Sequence, residues 1–225
     1  MRLRRQPHLI ERVKDHPWRM DPVDQGKWRD AAPVPVKYLA LEIGCGKGGF
    51  LSGMATKHGD TFFIGLERVP EVVWQACKKM SENENMNAKL LQKDARDLAE
   101  LFAPGEVDHI YLNFSDPWPK SRHAKRRLTY RSFMKLYHQI LSPQGEVHFK
   151  TDNRGLFEFS LEEFTALGLT MKNISWDLHQ SEPEDNVRTE YETKFSQQGF
   201  PIFRVEVSFP ENWQCEDSDE LEESE

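Results

Sequence analysis

The stretch Leu41-Glu42-Ile43-Gly44-Cys45-Gly46-Lys47-Gly48-Gly49-Phe50 decides the fold, because an apolar run passes there through four glycines into a helical pattern. Glycines permit a tight strand-to-helix turn and let a ligand approach the backbone closely. Alone, the Gly-x-Gly pattern is a weak signal. It also suits a plain turn, and a dinucleotide-dependent oxidoreductase would use it to hold a pyrophosphate. The stretch predicts the first strand-to-helix junction of an open α/β sheet.

Short apolar runs alternate with amphipathic stretches after this point, which is typical of βαβ units. We expect strands at residues 38–44, 62–67, 88–94, 107–114 and 145–152, and two later strands at 169–178 and 203–209. Helices are expected at residues 48–58, 70–82, 96–102, 130–142 and 154–167. A polar loop through Thr189–Glu192 would join the last two strands. The pattern predicts an α/β, doubly wound, mostly parallel seven-stranded sheet.

Composition divides the chain into three parts. Residues 1–34 are basic and interrupted by prolines, which predicts an N-terminal arm. Residues 35–212 carry the alternating pattern, and their length suits one domain. Residues 213–225 are acidic and poor in apolar side chains, which predicts a disordered tail.

The net charge of −7 conceals how the charges are distributed. Residues 216–225 hold seven acids and no base, so residues 1–215 carry 30 acids and 30 bases. A mean hydropathy of −0.71, without a long apolar run, argues against a membrane span. The basic N-terminus lacks the apolar segment of a secretory signal, and three scattered cysteines suit neither a disulfide framework nor a zinc site. We therefore expect a cytoplasmic protein that needs no metal.

Three carboxylates mark the ends of the first three predicted strands. Glu42 lies two residues before the first glycine, where an acid disfavours a pyrophosphate and favours a cationic ligand. Glu67 can accept hydrogen bonds from two ribose hydroxyls, and Asp94 lies within reach of an adenine edge. Each one alone could equally be a helix cap or a surface charge. Together they favour S-adenosylmethionine, which carries an ammonium and a sulfonium but no phosphate.

A rigid turn and a basic run follow the fourth predicted strand. In Asn113-Phe-Ser-Asp-Pro-Trp-Pro-Lys120, two prolines restrict the backbone around Asp116 and Trp118 at the edge of the sheet where ligands bind. The alternative is a structural turn with Trp118 in the core. The basic run that follows, from Lys120 to Arg131, has no acid and is typical of a phosphate-binding surface. Its bases are Lys120, Arg122, Lys125, Arg126, Arg127 and Arg131.

Two later segments offer polar groups that could recognise a nucleobase. Lys150-Thr-Asp-Asn153 closes the fifth predicted strand, and Thr189-Glu-Tyr-Glu192 follows the sixth. Guanine presents adjacent N1–H and N2–H donors, which one carboxylate can accept and which adenine lacks. We favour Glu192 over Glu190 as that acceptor.

Taken together, these segments resemble the bacterial tRNA (guanine-N7-)-methyltransferase family from about Leu41 to Glu206. The glycine turn is common to methyltransferases at large, whereas the other motifs are characteristic of the family in combination. The motifs are Leu-Glu-Ile-Gly-Cys-Gly-Lys-Gly, Asn-Phe-Ser-Asp-Pro-Trp-Pro-Lys, Arg-His-Ala-Lys-Arg-Arg-Leu-Thr, His-Phe-Lys-Thr-Asp-Asn and Thr-Glu-Tyr-Glu. The acidic tail lies outside the resemblance.

The resemblance implies a Rossmann-like fold and methyl transfer from S-adenosylmethionine to N7 of the variable-loop guanosine at standard tRNA position 46, with S-adenosylhomocysteine as the second product. Asp116 would also be the acid at the catalytic centre. The implied cofactor contacts are Glu42, Gly44, Gly46, Glu67, Asp94 and Asp116. The implied substrate contacts are Lys120, Asp152, Thr189, Glu190, Tyr191 and Glu192. Contacts to tRNA phosphates are expected from Arg122, Lys125, Arg126 and Arg127.

Other classes of protein remain open on sequence alone. A nicotinamide-dependent oxidoreductase shares the glycine turn and Glu67, but it leaves Glu42 and the basic run unexplained. A non-catalytic RNA-binding module explains the basic run but needs no acids at strand ends. A methyltransferase acting on another RNA base or on protein is the closer alternative. The expected assembly is a monomer or a homodimer.

Overall fold

The computed structural model describes residues 12–214. Strands in this part of the chain are β1 (Tyr38–Ile43), β2 (Thr61–Leu66), β3 (Ala88–Leu91), β4 (Val107–Asn113), β5 (Leu141–Thr151), β6 (Thr170–Ser175) and β7 (Phe203–Ser208). Helices are α1 (Gly49–Lys57), α2 (Pro70–Glu82), α3 (Leu98–Leu101), α4 (Arg131–Ile140), α5 (Arg154–Ala166) and α6 (Glu190–Ser196). The predicted strands and the first five helices are thus confirmed, with ends that differ by a few residues.

All seven strands belong to one sheet with the order β3-β2-β1-β4-β5-β7-β6. Strands β1 to β5 pair in parallel, whereas β7 pairs antiparallel with both β5 and β6. The doubly wound, mostly parallel sheet is therefore confirmed. The chain reverses its direction of winding between β1 and β4, and a crevice for ligands opens at such a point beyond the carboxyl ends of the strands.

Helices cover both faces of the sheet. On β1, Leu39 and Leu41 pack into the core beneath α3, α4 and α5, while Ala40 packs into a second core beneath α1 and α2. This alternation is the period of two that a strand imposes. Because Glu42 is two residues beyond Ala40, its side chain is directed to the α1 face, next to the glycine turn.

The predicted division of the chain into three parts differs from the structure at both ends. Val13 and Trp28 are fully buried, and Trp28 stacks on Phe102 with ring centroids 4.8 Å apart. Residues 12–34 therefore pack into the domain instead of forming a separate arm. Trp213 packs against His138, so the folded part extends beyond residue 212. The remainder of the predicted arm and tail, residues 1–11 and 215–225, lies outside the described residues.

The structure contains one helix that the pattern did not predict, and strands β3 and β6 are shorter than expected. The segment predicted as a polar loop contains α6, which begins after Thr189. Strand β3 ends at Leu91, so Asp94 lies in the loop beyond it rather than at the strand end. Between residues 12 and 214, no helix has both the length and the apolar character needed to cross a membrane.

Candidate active site

A cavity of about 610 Å³ opens beyond the carboxyl ends of β1, β2 and β4. It brings together four of the predicted cofactor residues and two of the predicted phosphate-binding residues. These are Gly44, Glu67, Asp94, Asp116, Lys125 and Arg126, with Phe114, Ser115 and Trp118 also in the lining. The structure therefore places the donor-binding motifs and part of the basic run around one space.

The glycine turn forms one wall of this site. Gly44 and Gly46 have φ angles of 74° and 54°, a region that side chains with a Cβ rarely adopt. A Cβ on either residue would meet no atom within 4 Å, so the turn leaves open space beside its backbone. The Gly44 N–H donates to the carbonyl of Leu66 at 2.8 Å, which ties the turn to the end of β2. This geometry suits a ligand that lies against the backbone.

Glu42 lies beneath the turn and is 3% exposed. Its Oε1 accepts a hydrogen bond from Asn113 Nδ2 at 3.0 Å. Its Oε2 has no hydrogen-bond partner within residues 12–214, although the Leu51 N–H lies near enough to favour the charged form. Burial raises the pKa of Glu42 to about 8, against the opposing effects of Asn113 and the charge of Lys150. An unsatisfied buried carboxylate oxygen fits a cationic ligand, so the donor set is compatible with the ammonium of S-adenosylmethionine.

The other two carboxylates are held by neighbouring groups. Glu67 Oε1 accepts hydrogen bonds from the N–H groups of Arg68 and Val69 at 2.7 and 2.9 Å. Asp94 caps a short 3₁₀ helix through the Arg96 N–H and also forms ion pairs with the side chains of Arg68 and Arg96. Hydrogen bonding from Arg96 lowers the pKa of Asp94 to about 2. Asp94 is therefore a helix cap as well as a lining residue of the cavity.

The loop from Asn113 to Lys120 combines two unusual backbone conformations. Phe114 and Trp118 have φ angles of 53° and 41°, which cost free energy in residues other than glycine. Asp116 lies between them, exposed, in the cavity lining. Strained residues of this kind persist where neighbouring contacts hold them, and they cluster at functional sites.

Arg127 holds this loop in place. Its Nε donates to the carbonyl of Pro117 at 3.1 Å, and its Nη2 donates to the carbonyl of Trp118 at 3.0 Å. Its guanidinium also lies over the ring of Phe159, 4.1 Å from the centroid. These contacts favour a structural role for Arg127 over the predicted contact with a tRNA phosphate, because its Nε and Nη2 already donate to the loop.

Four other bases of the run face solvent, whereas Arg131 binds Glu163. Lys120, Arg122, Lys125 and Arg126 are exposed on a 3₁₀ helix (Ser121–Arg126) and its N-cap. The Arg126 guanidinium lies 4.9 Å from the centroid of the Trp118 ring. Trp118 is therefore not a core residue, contrary to the alternative considered from sequence. The role of these four bases in binding phosphate stays a prediction.

Thr189 and Glu192 form a capping box at the start of α6. The Thr189 Oγ1 accepts a hydrogen bond from the Glu192 N–H, and the Glu192 carboxylate accepts one from the Thr189 N–H. Glu192 is fully buried and binds Lys150 Nζ at 2.8 Å. The preference for Glu192 as the guanine acceptor is thus not supported, because its carboxylate holds the helix and neutralises a buried lysine.

Glu190 lies beside the glycine turn, and Tyr191 lies beside the loop that carries Asp116. Glu190 is half exposed, and its carboxylate lies beside Gly49 at the start of α1, where Lys79 binds it. The Tyr191 hydroxyl donates to Asp152 Oδ2 at 3.2 Å. Its ring lies 5.0 Å from that of Phe114. The structure thereby joins the predicted substrate residues Asp152 and Tyr191 to the loop that carries Asp116.

Sequence reasoning missed two residues that organise the site. The sequence shows Asn113 only as the first residue of a motif, whereas in the structure its side chain donates the hydrogen bond to Glu42. Lys150 is 5% exposed and binds the Val187 carbonyl, Asn186 and Glu192, which fastens the segment before α6 to β5. The capping-box spacing Thr-x-x-Glu was the sequence signal for α6. Nothing in the sequence paired Lys150 with a residue 42 positions away.

Two groups of histidines and carboxylates lie outside the cavity: His109, Glu146 and His148 on the sheet, and His179, Glu182 and Glu192 near α6. Each carboxylate already has a basic partner: Glu146 pairs with Lys172, Glu182 with Arg188 and Glu192 with Lys150. The expectation that no metal is required stays a prediction.

Comparison with known proteins agrees with this geometry. Residues 37–205 match a family model described as a putative methyltransferase. The solved structure of an antibiotic-related methyltransferase superposes with a TM-score of 0.60 at 15% identity, covering 82% of this chain and 94% of that one, which supports the fold alone. Fold and site together define a methyltransferase of the Rossmann-like class, a class whose methyl donor is S-adenosylmethionine.

The family is defined by closer relatives. A tRNA (guanine-N(7)-)-methyltransferase of Geobacillus sp. is 46% identical over 215 residues, which is 93% of this chain and 96% of the relative. Another from Exiguobacterium sp. is 53% identical over 175 residues, covering 77% and 81%. The chain belongs to the tRNA (guanine-N(7)-)-methyltransferase family.

Proposed function

We propose that this protein transfers a methyl group from S-adenosylmethionine to N7 of the variable-loop guanosine at standard tRNA position 46. The observation that carries the proposal is the cavity, in which the acids Glu67, Asp94 and Asp116 share one lining with Lys125 and Arg126. A cationic donor and a polyanionic substrate would therefore meet in the same space. The curated relatives named for this reaction support it. The partner is tRNA, and the expected setting is the cytoplasm, with the protein acting as a monomer or homodimer.

Donor binding is assigned to the acids and the glycine turn. Glu42 Oε2, which has no partner within residues 12–214, would accept the donor ammonium, and the open backbone at Gly44 and Gly46 would lie against it. Glu67 would accept the ribose hydroxyls, and Asp94 would lie near the adenine. When bound, the donor supplies an electrophilic methyl group on a sulfonium.

Catalysis requires alignment more than proton transfer. Guanine N7 has a free lone pair at neutral pH, so no proton need be removed before the methyl group is attacked. Asp116 is exposed in the cavity lining and would orient the guanine or the donor for in-line displacement. Alignment of two bound reactants can amount to effective molarities of about 10⁵–10⁸ M. Lys120, Asp152, Thr189, Glu190 and Tyr191 would hold the substrate, with Glu192 acting through the position of α6.

The experiment uses unmodified tRNA, labelled donor and strand cleavage at 7-methylguanosine. We expect label at a single variable-loop guanosine, and a loss of rate of about 100-fold in Asp116→Ala under saturating donor. Asp60→Ala is the matched control, since Asp60 is an exposed acid at the opposite edge of the sheet. Label at another nucleotide, or in protein only, would contradict the specificity, and an unchanged rate in Asp116→Ala would contradict its role.

A further inference from the structure

A series of four aromatic rings leads outward from the candidate active site. Phe114 and Tyr191 have centroids 5.0 Å apart, Tyr191 stacks on Phe195 at 4.2 Å, and Phe195 lies 5.7 Å from Phe200. We call these four residues the aromatic ladder. It starts two residues before Asp116 and ends at the far end of α6.

Two of these four residues are exposed. Tyr191 is 42% exposed and Phe200 is 51% exposed. The position of Phe200 is nevertheless defined by the backbone, because its N–H donates to the carbonyl of Phe195 at 3.2 Å directly after α6. Contiguous exposed aromatic surface of this kind marks an interaction site more often than chance exposure does.

The surroundings of the ladder favour RNA over protein as its partner. The Nζ of Lys194 lies 5.7 Å from the Phe195 centroid, and Lys194 is exposed. The ladder is continuous with the cavity through Phe114, and the cavity is lined by Lys125 and Arg126. Aromatic rings beside basic side chains are the usual platform for unstacked bases, since every base has a face that can stack.

We propose that the aromatic ladder is a base-stacking subsite for tRNA, in which Phe200 stacks on a nucleotide adjoining the target guanosine. Tyr191 then contacts the target base itself, while its hydroxyl remains bound to Asp152. The subsite rests on the proposed function, because it requires a guanosine drawn out of folded tRNA into the cavity. A base that leaves the stack exposes its neighbours, and an external aromatic surface offsets part of that loss.

The test compares Phe200→Ala with Tyr38→Ala, an aromatic residue of similar exposure (47%) at the start of β1. Two unmodified tRNAs carry fluorescent 2-aminopurine at the nucleotide on either side of the target guanosine. We expect the wild-type protein to quench one of them and Phe200→Ala to lose that quenching. Affinity for tRNA should fall about 5- to 100-fold in Phe200→Ala. Phe200→Trp should keep both properties, and Tyr38→Ala should match the wild type.

Salt dependence separates stacking from phosphate binding. Phe200→Ala removes no charge, so the slope of log affinity against log salt should stay at the wild-type value, whereas Lys194→Ala should lower it. Donor affinity serves as the measure of folding and should be unchanged in both variants. Affinity and quenching in Phe200→Ala within twofold of wild type would overturn the subsite. If wild-type protein methylated no tRNA guanosine, the proposed function would fail, and the quenching result would still report on stacking separately.

Discussion

At the scale of single residues, Glu42 is an acid in a buried position that disfavours its charged form. Burial raises the pKa of its carboxyl group to about 8, from an ordinary value of 4.5. Between pH 4.5 and about 8, the folded state therefore keeps a proton on Glu42 that the unfolded state has already released. Because the unfolded state binds fewer protons in that window, stability falls as the pH rises from 4.5 to 8. A cationic ligand would reverse this cost by pairing with the charged form.

Glu42→Gln should therefore stabilise the ligand-free protein and weaken donor binding. At pH 9 we expect its unfolding free energy to exceed that of the wild type by about 2–4 kcal/mol, since each pKa unit corresponds to about 1.4 kcal/mol. At pH 5 the difference should be much smaller. Urea unfolding at the two pH values provides the measurement. Glu100→Gln, which alters an exposed acid, should follow the wild type at both.

Donor binding to the wild type should release protons at pH 7, approaching about one per molecule bound as Glu42 ionises. Titration calorimetry in two buffers of different ionisation enthalpy measures this number. Proton release in the wild type that persisted unchanged in Glu42→Gln would place its source elsewhere.

Arg126 and Arg127 are neighbours in sequence but should behave differently on substitution. Arg126→Ala should weaken tRNA binding and lower the salt slope by about 1, because an exposed cation is lost. Arg127→Ala should leave that slope unchanged and reduce the unfolding free energy by about 1–3 kcal/mol, because two carbonyls of the Asp116 loop lose their donor. Filter binding at several salt concentrations and urea unfolding separate the two effects. A lower salt slope in Arg127→Ala would restore it to the phosphate-binding surface.

At the scale of elements, the regular sheet and its first five helices were predictable, whereas the capping-box spacing was the only signal that the sequence offered for α6. Strand β2 is a short, nearly continuous apolar run, as expected of a parallel strand buried on both faces, and helix α2 buries side chains at the helical period of 3.6. Helix α6 has seven residues, of which three are charged, and no continuous apolar face. Its capping-box residues, Thr189 and Glu192, also belong to the segment predicted to contact the substrate, so the sequence did not separate a helix cap from a binding motif.

The candidate site was predictable where it depends on strand ends and not where it depends on distant contacts. The positions of Glu67 and Asp116 follow from the rule that ligands bind beyond the carboxyl ends of parallel strands. The pairing of Lys150 with Glu192 requires the segment before α6 to fold back over β5, which no local pattern encodes. Likewise, Arg127 could be distinguished from Arg126 only by the carbonyls within its reach.

The contact between β5 and α6 predicts a strong dependence on charge pairing. Glu192→Gln keeps the size of the side chain but leaves Lys150 buried without its ion-pair partner, and we expect a loss of about 3 kcal/mol in unfolding free energy at pH 7. Burial already lowers the pKa of Lys150. Without Glu192, protonation of Lys150 should oppose folding, so the loss should diminish as the pH rises.

A double-mutant cycle provides the control for this pair. Lys150→Met combined with Glu192→Gln should recover most of the stability lost in Glu192→Gln, because the buried charge is gone. Urea unfolding of the four proteins gives the coupling energy. Strict additivity of the two changes would show that Lys150 and Glu192 do not depend on each other.

At the scale of the whole molecule, opposite charges are separated by location. The net charge is −7, and seven acids lie in residues 216–225. The chain enters this segment from Trp213, which packs against His138 near the end of α4. Helix α4 leads directly into the start of β5, so this point lies at the opposite edge of the sheet from the cavity. We predict that the seven acids act on tRNA through their long-range field.

The charge of the tail predicts both the sign and the size of its effect on tRNA binding. Removal of residues 216–225 should raise tRNA affinity about two- to fivefold at 50 mM salt, because a repulsive field is lost. The gain should vanish near 0.5 M salt, where the Debye screening length is less than about 5 Å. A full-length variant with the seven acids changed to their amides should behave identically, which separates charge from length. Donor affinity should not change in either protein. A gain of 100-fold, or one that also appeared in donor binding, would mean that the acids compete directly for the basic surface around Lys125 and Arg126. No gain at low salt would mean that the field of the acids does not reach the bound tRNA.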